Sequence, residues 1–518
     1  MKIKNIITII KNKDKKQIIL YTVLFIGIAF MVREYIGGRS FWLDEAALGL
    51  NISKSFKELL LPIGSGQMAP ILFLLTAKIP TIFLGISDYS LRIIPLLFGI
   101  GSLYIFFLIS KKILNKTAAI ISLLLFILSD KIIYYTTEFK QYSAEVFFSV
   151  LLFYLFILMT DTGLNLKRSI LIGVIGIIAI WFSYPSIIVI TSVTICFLYY
   201  FIKKKDKKSI ISTVTIGLIW LANIFAEYFY HILIKDYRIE GMKYYWSYAF
   251  MPFPPKTSSD FLWLPKSIKD FFIYIYRNDS NLFSGKFPII QDIFSYMLIT
   301  FFIIGIIYTF LKRKGHLSLF VLLILFLAIA ASALKKYPFS ERTILYIAPL
   351  IFFISAYGIW LTIKYLRKIH ISISIILLLF IFFFPILSGI YHLIEPTYKS
   401  EIKSVVSYYY ENRKPGDKLY VEEYYLIQFY FYSDKDLVDF TSDKDEETLE
   451  REISGNDRVW VIGSIGDLEK QGKLIDHYKI KTLASILANK WPFNRYRDKI
   501  ISLNNPNAEI YLYDFSEL

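Results

Sequence analysis

The sequence predicts a polytopic α-helical membrane protein that carries a C-terminal soluble α/β domain. Of its 518 residues, 55% are hydrophobic and 18% are aromatic, which is more apolar surface than a soluble globular protein usually carries. Apolar runs of about 17–25 residues recur from Ile18 to Ile394, and each is long enough to cross the ~30 Å hydrocarbon core as a helix. From Glu395 onward, charged and apolar residues mix with turn signals, as is typical of a soluble domain.

The twelve apolar runs do not all fit one topology. They cover residues 18–36, 68–86, 91–110, 117–135, 141–160, 169–184, 186–202, 209–234, 290–311, 317–334, 343–363 and 370–394. If all crossed the membrane, the basic N-terminus and the other basic connectors would face opposite sides, against the positive-inside tendency. Run 68–86 is the weakest, because Lys78 and Pro80 interrupt it. Treating it as an interfacial helix leaves eleven spans, with the N-terminus inside and the C-terminus outside.

This topology divides the chain into a transmembrane domain, residues 1–394, and an extracytoplasmic soluble domain, residues 395–518. Two long loops of the transmembrane domain, 37–90 and 235–289, then lie on the same side as the soluble domain. Helices and strands are predicted to alternate in the soluble domain, with a mainly helical segment at 467–489.

The net charge of +16 lies largely in the connectors between apolar runs. Lys and Arg in such connectors set topology and face anionic headgroups, so we expect contact with membrane lipids and none with nucleic acid. The single cysteine, Cys196, excludes an internal disulfide and a cysteine-based zinc site. The five histidines form no cluster. No cofactor or metal ligand is predicted, and participation of a divalent metal stays open.

Two adjacent acids in the first external loop, Asp44 and Glu45, are the first candidate catalytic residues. One interpretation is structural, because Ser40 suits an N-cap and acids in a first helical turn interact favourably with the helix dipole. The other is functional. Consecutive helix positions point ~100° apart, so one acid can face a cavity while the other holds a loop. A partly desolvated carboxylate at the membrane surface is then a reasonable general base.

A second candidate group lies at the connector before run 141–160. Glu138 and Lys140 are either exposed loop charges or site residues. Glu145 lies inside the apolar run, where an ionised side chain costs about 2.5–3.5 kcal/mol on insertion scales. It is therefore predicted to face the bundle interior, where it contacts either a substrate or a structural partner such as Lys140.

Two arginines stand at outer connectors near these acids: Arg92 at the start of a span, and Arg342 in a segment with Tyr337. Each is either a snorkelling anchor or part of a site. Guanidinium groups bind phosphate oxygens bidentately. Acids and arginines that converge on one face therefore predict a site for a lipid-linked phosphate.

Four short motifs follow one another along these connectors. They are Asp44-Glu45, Gln67-Met68-Ala69-Pro70-Ile71-Leu72-Phe73, Leu91-Arg92-Ile93-Ile94-Pro95-Leu96-Leu97-Phe98-Gly99 and Glu138-Phe139-Lys140-Gln141-Tyr142. Their order resembles that of the GT-C membrane glycosyltransferases, nearest the branch of dolichyl-phosphate-mannose–protein mannosyltransferases and bacterial aminoarabinose transferases. The segments 337–342 and 414–417 also resemble bacterial members.

The resemblance implies transfer of a hexose or pentose from a polyprenyl-phosphate carrier to a lipid, glycan or protein acceptor. The reaction would occur at the outer face of the plasma membrane with inversion of the anomeric carbon. Asp44 would deprotonate the acceptor hydroxyl, Glu45 would position the loop, and Glu138 would orient the acceptor or the basic residues. The implied substrate-binding residues are Arg92, Lys140, Tyr142, Glu145, Tyr337 and Arg342.

Two departures from the family pattern concern the phosphate. Relatives often carry a basic residue where this chain has Met68-Ala69-Pro70, and an arginine where it has Lys140. Lysine keeps the charge but loses the bidentate fork. Both departures affect the phosphate-binding residues more than Asp44.

The main alternative function is a transporter that flips lipid-linked sugars. Transporters place ionisable groups near the bilayer midplane and often contain repeated halves. In this chain the candidate charges gather at one face and no internal repeat is found, which favours an enzyme. A non-catalytic relative whose external domain binds a partner is a third alternative, and the intact pair Asp44-Glu45 argues against it.

Overall fold

A computed structural model describes most of the transmembrane region and part of the C-terminal domain. The described residues are 15–234, 238–276, 288–312, 314–394, 399–433, 438–441, 451, 458–464, 473–479 and 509–514. The α-helices are α1 (Lys15–Ile36), α2 (Leu43–Ile52), α3 (Ile71–Leu84), α4 (Asp88–Ile113), α5 (Lys116–Ile127), α6 (Asp130–Tyr135), α7 (Tyr142–Thr162), α8 (Leu166–Phe182), α9 (Ser186–Lys204), α10 (Lys207–Leu233), α11 (Arg238–Tyr245), α12 (Ser258–Tyr274), α13 (Pro288–Leu311), α14 (Gly315–Ala333), α15 (Ala348–Ile369), α16 (Ile371–Ile394), α17 (Ile402–Asn412) and α18 (Glu423–Tyr432). Short 3₁₀ helices occur at Glu58–Leu60, Ser247–Ala249 and Glu341–Ile347.

Nine helical segments within the described ranges have the length and apolar composition needed to cross a membrane. They are α1, α4, α7, α9, α10, α13, α14, the segment 341–369 that contains α15, and α16. This confirms the predicted polytopic helical class. The other two of the predicted spans form shorter helices. Residues 117–135 divide into α5 and α6, and residues 169–184 lie mainly in the 17-residue α8.

The run excluded from the spans is the short helix α3. Its 14 residues cover about 21 Å along the axis, less than the hydrocarbon thickness. Pro80 lies inside it. The ammonium of Lys78 donates to the carbonyl oxygens of Ile52 (2.7 Å) and Lys54 (2.6 Å). Lys78 thereby satisfies carbonyl groups at the C-terminal end of α2, so the charge that interrupts the apolar run ties α3 to α2.

Two glycines allow α13 and α15 to pack backbone against backbone. A Cβ on Gly305 would lie 2.1 Å from the carbonyl oxygen of Ile354, and one on Gly358 would lie 1.9 Å from that of Phe301. Small residues at helix contacts are a common basis of packing inside membranes. This contact fixes α15 in the bundle, and with it the 3₁₀ helix Glu341–Ile347 that leads into α15.

The C-terminal domain contains a mixed five-stranded sheet within the described residues. Its strands are β1 (Lys418–Val421), β2 (Phe440–Thr441), β3 (Val459–Ile462), β4 (Lys473–Lys479) and β5 (Glu509–Asp514), arranged in the order β2-β1-β3-β5-β4. Strand β1 is parallel to β2 and β3, whereas β5 is antiparallel to β3 and β4. With α17 and α18 packed on the sheet around Trp460 and Phe429, the predicted α/β class is confirmed.

The helix predicted at 467–489 is wrong at residues 473–479, which form strand β4. Pairing with β5 satisfies the backbone groups of this segment, and tertiary pairing of this kind outweighs local preference. The remainder of 467–489 lies outside the described residues.

Helix α18 of the C-terminal domain docks against α2. The amide of Gln428 donates to the carbonyl oxygen of Phe41 at 2.9 Å, and the hydroxyl of Tyr432 accepts from the Phe41 amide at 2.7 Å. The ring of Phe431 lies 4.7 Å from that of Phe41 and rests against Gly49, where any Cβ would meet it at 2.7 Å. The domain is thus packed directly onto the loop and helix that carry the predicted acids.

Candidate active site

A buried ion pair fixes the start of α2. Glu45 is fully buried, and its carboxylate accepts from the backbone N–H groups of Trp42 (3.1 Å) and Phe139 (2.7 Å). It also pairs with Nη2 of Arg92 at 2.9 Å. Arg92 donates through Nη1 to the carbonyl oxygen of Arg39 at 2.5 Å. Glu45 and Arg92 therefore join three segments: the loop before α2, helix α4, and the connector before α7.

A second buried pair supports the same loop. Arg39 contacts Glu34 at 3.2 Å and donates to Oγ1 of Thr137 at 2.7 Å, while its guanidinium lies 4.2 Å from the centre of the Tyr134 ring. Burial opposes the charge of Arg39, but Tyr134 and nearby carboxylates outweigh burial and raise its pKa. Neither Arg39 nor Glu34 was predicted from the sequence. Glu34, an acid inside an apolar run, was the available signal.

The side chain of Asp44 points away from these two buried ion pairs. Its side chain is 22% exposed, and its Oδ2 lies 2.9 Å from Nη1 of Arg342. Burial acts to raise the pKa of Asp44, but the charges of Lys140, Arg342 and Lys399 and a hydrogen bond with Gln67 outweigh burial and lower the pKa to about 2. The carboxyl group is therefore ionised at neutral pH.

The connector before α7 supplies one acid and one base. Glu138 is fully buried, with its Oε2 3.2 Å from Nζ of Lys399. Burial acts to raise the pKa of Glu138, but Lys399 and two nearby arginines outweigh burial and lower it. Lys140 donates from Nζ to the side-chain oxygen of Gln67, and burial lowers the pKa of Lys140 even though Asp44 lies close by.

Arg342 lies on the 3₁₀ helix that precedes α15. Its guanidinium is 5.7 Å from the centre of the Tyr142 ring. The hydroxyl of Tyr337 donates to the carbonyl oxygen of Thr343 at 3.1 Å and closes the turn around Arg342. Glu341 has φ +44°, a left-handed conformation that costs roughly 1–2 kcal/mol for a residue with a side chain. The strained residue directly precedes the arginine that contacts Asp44.

Lys399 was not predicted. Its side chain is 18% exposed, and its ammonium lies 4.6 Å from the centre of the Tyr134 ring and 5.8 Å from that of Trp42. It stands 261 positions after Glu138, in a mixed-charge stretch with no motif. Only the packing of the C-terminal domain reveals that it lies beside Glu138.

Glu145 lies one layer behind these charges. It is 1% exposed, and neither of its carboxyl oxygens has a hydrogen-bond partner among the described residues. Its electrostatic neighbours include the phenols of Tyr142, Tyr337 and Tyr346. Glu145 therefore faces the bundle interior as predicted. The structural partner suggested for it, Lys140, instead contacts Gln67.

We name the group formed by Asp44, Glu138, Lys140, Arg342 and Lys399 the charged cluster. Its three cations and two carboxylates leave one formal positive charge, which matches the single negative charge of a phosphodiester. Arg92, predicted to bind substrate, is absent from the cluster, because it is 2% exposed and all three of its side-chain nitrogens are engaged by Glu45, Arg39 and Ser40.

The helical membrane bundle of this chain, with the C-terminal domain docked onto it, has the fold of the GT-C membrane glycosyltransferases. The archaeal oligosaccharyltransferase AglB from Archaeoglobus fulgidus, in complex with an inhibitory peptide and a dolichol-phosphate, is one similar structure. The TM-score is 0.50 at 12% identity, over 85% of this chain and 69% of that chain. ArnT from Cupriavidus metallidurans bound to undecaprenyl phosphate is another, with a TM-score of 0.50 at 9% identity over 95% of this chain and 97% of that chain.

These comparisons confirm the predicted resemblance at the level of the fold. No protein-family model and no curated protein sequence matches the chain.

Proposed function

We propose that this protein is a glycosyltransferase that moves a sugar from a polyprenyl-phosphate carrier to an acceptor hydroxyl. The observation that carries the proposal is the charged cluster: a partly exposed carboxylate, Asp44, surrounded by cations that outnumber the acids. The fold supports it, and so do the dolichol-phosphate and undecaprenyl phosphate held by the two similar structures.

The phosphate of the donor is assigned to Arg342 and Lys140. Arg342 offers a planar fork that suits two phosphate oxygens. Lys140 contacts a neutral amide, that of Gln67, so its charge is available to an incoming anion. As the bond between the anomeric carbon and the phosphate oxygen breaks, the phosphate gains negative charge. Cations already in place stabilise that charge without reorganisation.

Asp44 is assigned as the base that takes the proton from the acceptor hydroxyl. The acceptor oxygen bonds to the anomeric carbon from the face opposite the phosphate, so the configuration inverts. A carboxylate with a pKa of about 2 is a weak base in the donor-free protein. A phosphate bound to Arg342 offsets the positive field at Asp44 and raises its pKa, so Asp44 becomes a stronger base when the donor is present.

The other predicted residues hold this arrangement. Glu45 and Arg92 position the loop before Asp44, as their buried contacts indicate. Tyr142 and Tyr337 orient Arg342. Glu145, whose carboxyl oxygens have no hydrogen-bond partner among the described residues, is assigned to the hydroxyl groups of the donor sugar.

We further propose that the charged cluster and the C-terminal domain lie on the extracytoplasmic side of the plasma membrane, as the basic connectors indicate. The members of the charged cluster gather at one end of the bundle, whereas a flippase for lipid-linked sugars would place such groups near the midplane. Reporter fusions after Lys116 and at Leu518 test this arrangement. A cytoplasmic C-terminus would contradict it.

The decisive experiment supplies radiolabelled undecaprenyl-phosphate sugars to membranes that contain the wild-type chain or the Asp44→Asn variant. Label should pass to lipid, glycan or protein fractions with the wild type and not with Asp44→Asn. Asp161→Asn is a matched control, because Asp161 is 54% exposed and pairs with Lys112 at the opposite end of α7. Equal transfer by Asp44→Asn excludes the proposed base. Movement of the labelled lipid across sealed vesicles without transfer identifies a flippase instead.

A further inference from the structure

Lys399 is the one member of the charged cluster that follows the last transmembrane helix, α16. Its ammonium is 3.2 Å from Oε2 of Glu138, and the rings of Trp42, Tyr134 and Tyr135 lie within 4.6–5.8 Å of it. An ammonium held over several aromatic faces keeps its position, because cation–π attraction adds to the ion pair. Lys399 is thus fixed beside Glu138, within the charged cluster that contains the proposed base, Asp44.

The position of Lys399 relative to Asp44 is set by a buried carboxylate two residues later in the chain. Glu401 is 6% exposed and accepts from the backbone N–H of Ser40 at 3.1 Å and from its hydroxyl at 2.6 Å. The hydroxyl of Ser40 in turn accepts from the amide of Lys403 at 2.9 Å. The segment that enters the C-terminal domain is therefore bonded to the loop that carries Asp44.

We propose that Lys399 is a third ligand of the donor phosphate, so that the C-terminal domain supplies part of the active site. This inference rests on the proposed function. It assigns to the domain a direct role in binding the lipid-linked donor, and it makes the transmembrane domain alone an incomplete enzyme.

The geometry of the ammonium group supports the assignment. A lysine ammonium has three N–H donors, and Glu138 is its one hydrogen-bonded acceptor among the described residues. The other donors make no hydrogen bond within the described part of the chain, so the ammonium can donate to a phosphate oxygen while the contact with Glu138 persists. Glu138 keeps its neutralising partner when the donor binds, so its buried charge is not left uncompensated.

Lys403 provides a matched comparison. It lies four residues further along the same segment, pairs with Asp88 at 2.8 Å and is 39% exposed. Both lysines pair with a buried acid and lie over aromatic rings. Lys403 is outside the charged cluster, so a phosphate held by Arg342 and Lys140 should depend on Lys399 and not on Lys403.

Binding of undecaprenyl phosphate to the full-length protein in detergent tests the proposal directly. We expect Lys399→Met to weaken binding by about 10- to 100-fold, the loss typical of one charge-assisted hydrogen bond. Lys399→Arg should stay within about threefold of the wild type, because it keeps the charge, and Lys403→Met should bind like the wild type. Phosphatidylglycerol serves as a second probe that separates donor recognition from general attraction to anionic lipid.

Unchanged binding in Lys399→Met, or an equal loss in Lys403→Met, overturns the inference. If wild type itself does not bind undecaprenyl phosphate, the proposed function fails instead, and the two failures are distinguishable.

A second experiment uses only the wild-type protein, so its result does not depend on whether a variant folds. Amine-reactive labelling read by mass spectrometry should show that undecaprenyl phosphate protects Lys399 several-fold while Lys403 is unchanged, and equal labelling of Lys399 with and without lipid contradicts the inference.

Discussion

Two neighbouring sets of ion pairs lie where the C-terminal domain docks onto the bundle. They differ in solvent exposure and in net charge. The pairs Arg92–Glu45 (2.9 Å) and Arg39–Glu34 (3.2 Å) join side chains that are at most 3% exposed. In the charged cluster, the Asp44–Arg342 pair has a similar length, 2.9 Å, but its side chains are 22% and 13% exposed. The buried pairs are neutral overall, whereas the charged cluster carries a surplus cation.

The difference shows how two adjacent residues can supply one buried carboxylate and one partly exposed carboxylate. Asp44 and Glu45 are adjacent, and consecutive helix positions point ~100° apart. Glu45 accepts two backbone N–H groups and an arginine, so its oxygens are committed to structure. Asp44 instead contacts the partly exposed side chain of Arg342. Equal carboxylate–arginine distances therefore do not indicate equal roles.

The largest expected effect is on turnover by Asp44→Asn. Removing a general base reduces the rate by about 10²- to 10⁴-fold, and the partly exposed position of Asp44 should leave the fold intact. Transfer of radiolabelled sugar measures the rate, and thermal unfolding in detergent measures the fold. A variant that keeps more than a tenth of the wild-type rate would place Asp44 among the supporting residues.

The reverse outcome is expected for the neighbouring acid. Glu45→Gln keeps the shape of the side chain but leaves the charge of Arg92 buried without its partner. Breaking a buried pair in this way costs about 3–5 kcal/mol of stability. The transition temperature should fall clearly, while activity per folded molecule stays within about an order of magnitude of wild type. Equal thermal stability of wild type and Glu45→Gln would remove the distinction between the two sets.

The sequence predicts those features of the molecule that leave a signal in a short stretch of residues. Apolar run length and basic connectors predict the helical class, and the adjacent acids in a first helical turn predict Asp44 and Glu45 together. They do not predict which acid is buried, because that depends on Arg92 and on the amide of Phe139. Lys399 has no local signal at all, since its contact with Glu138 joins positions 261 residues apart.

The strand β4 and the buried contacts of Arg92 were not predicted, for a related reason. The segment 473–479 becomes a strand by pairing with β5, and the guanidinium of Arg92 is engaged by the loop before α2. Both outcomes depend on a partner far along the chain. Periodicity and motif order indicate the structure that a segment favours by itself. They do not indicate which distant segment it will contact.

The balance of the charged cluster can be changed without removing a cation. Glu138→Gln removes one negative charge and leaves Lys399 without its carboxylate partner. Undecaprenyl phosphate should then bind a few-fold more tightly, because the surplus positive charge increases, while transfer slows by about 10-fold through loss of positioning. Equilibrium binding and the transfer rate measured on one preparation separate the two effects. Weaker lipid binding by Glu138→Gln would show that this acid organises the cations and does not merely oppose them.

The smallest expected effect concerns pH, and it tests whether the donor changes the basicity of Asp44. The folded pKa of Asp44 lies below its usual value, at about 2, so the donor-free carboxylate stays ionised until the pH falls towards 2. The profile of kcat/KM reports the free enzyme and that of kcat reports the enzyme–substrate complex. No acid limb from Asp44 is therefore expected in kcat/KM between pH 4 and 8. In the proposed mechanism a donor phosphate on Arg342 raises the pKa of Asp44, so the acid limb of kcat should lie at a higher pH than that of kcat/KM. If the acid limbs of kcat and kcat/KM coincide, Arg342 remains paired with Asp44 throughout the reaction. The charged cluster then behaves like the buried pairs Arg92–Glu45 and Arg39–Glu34.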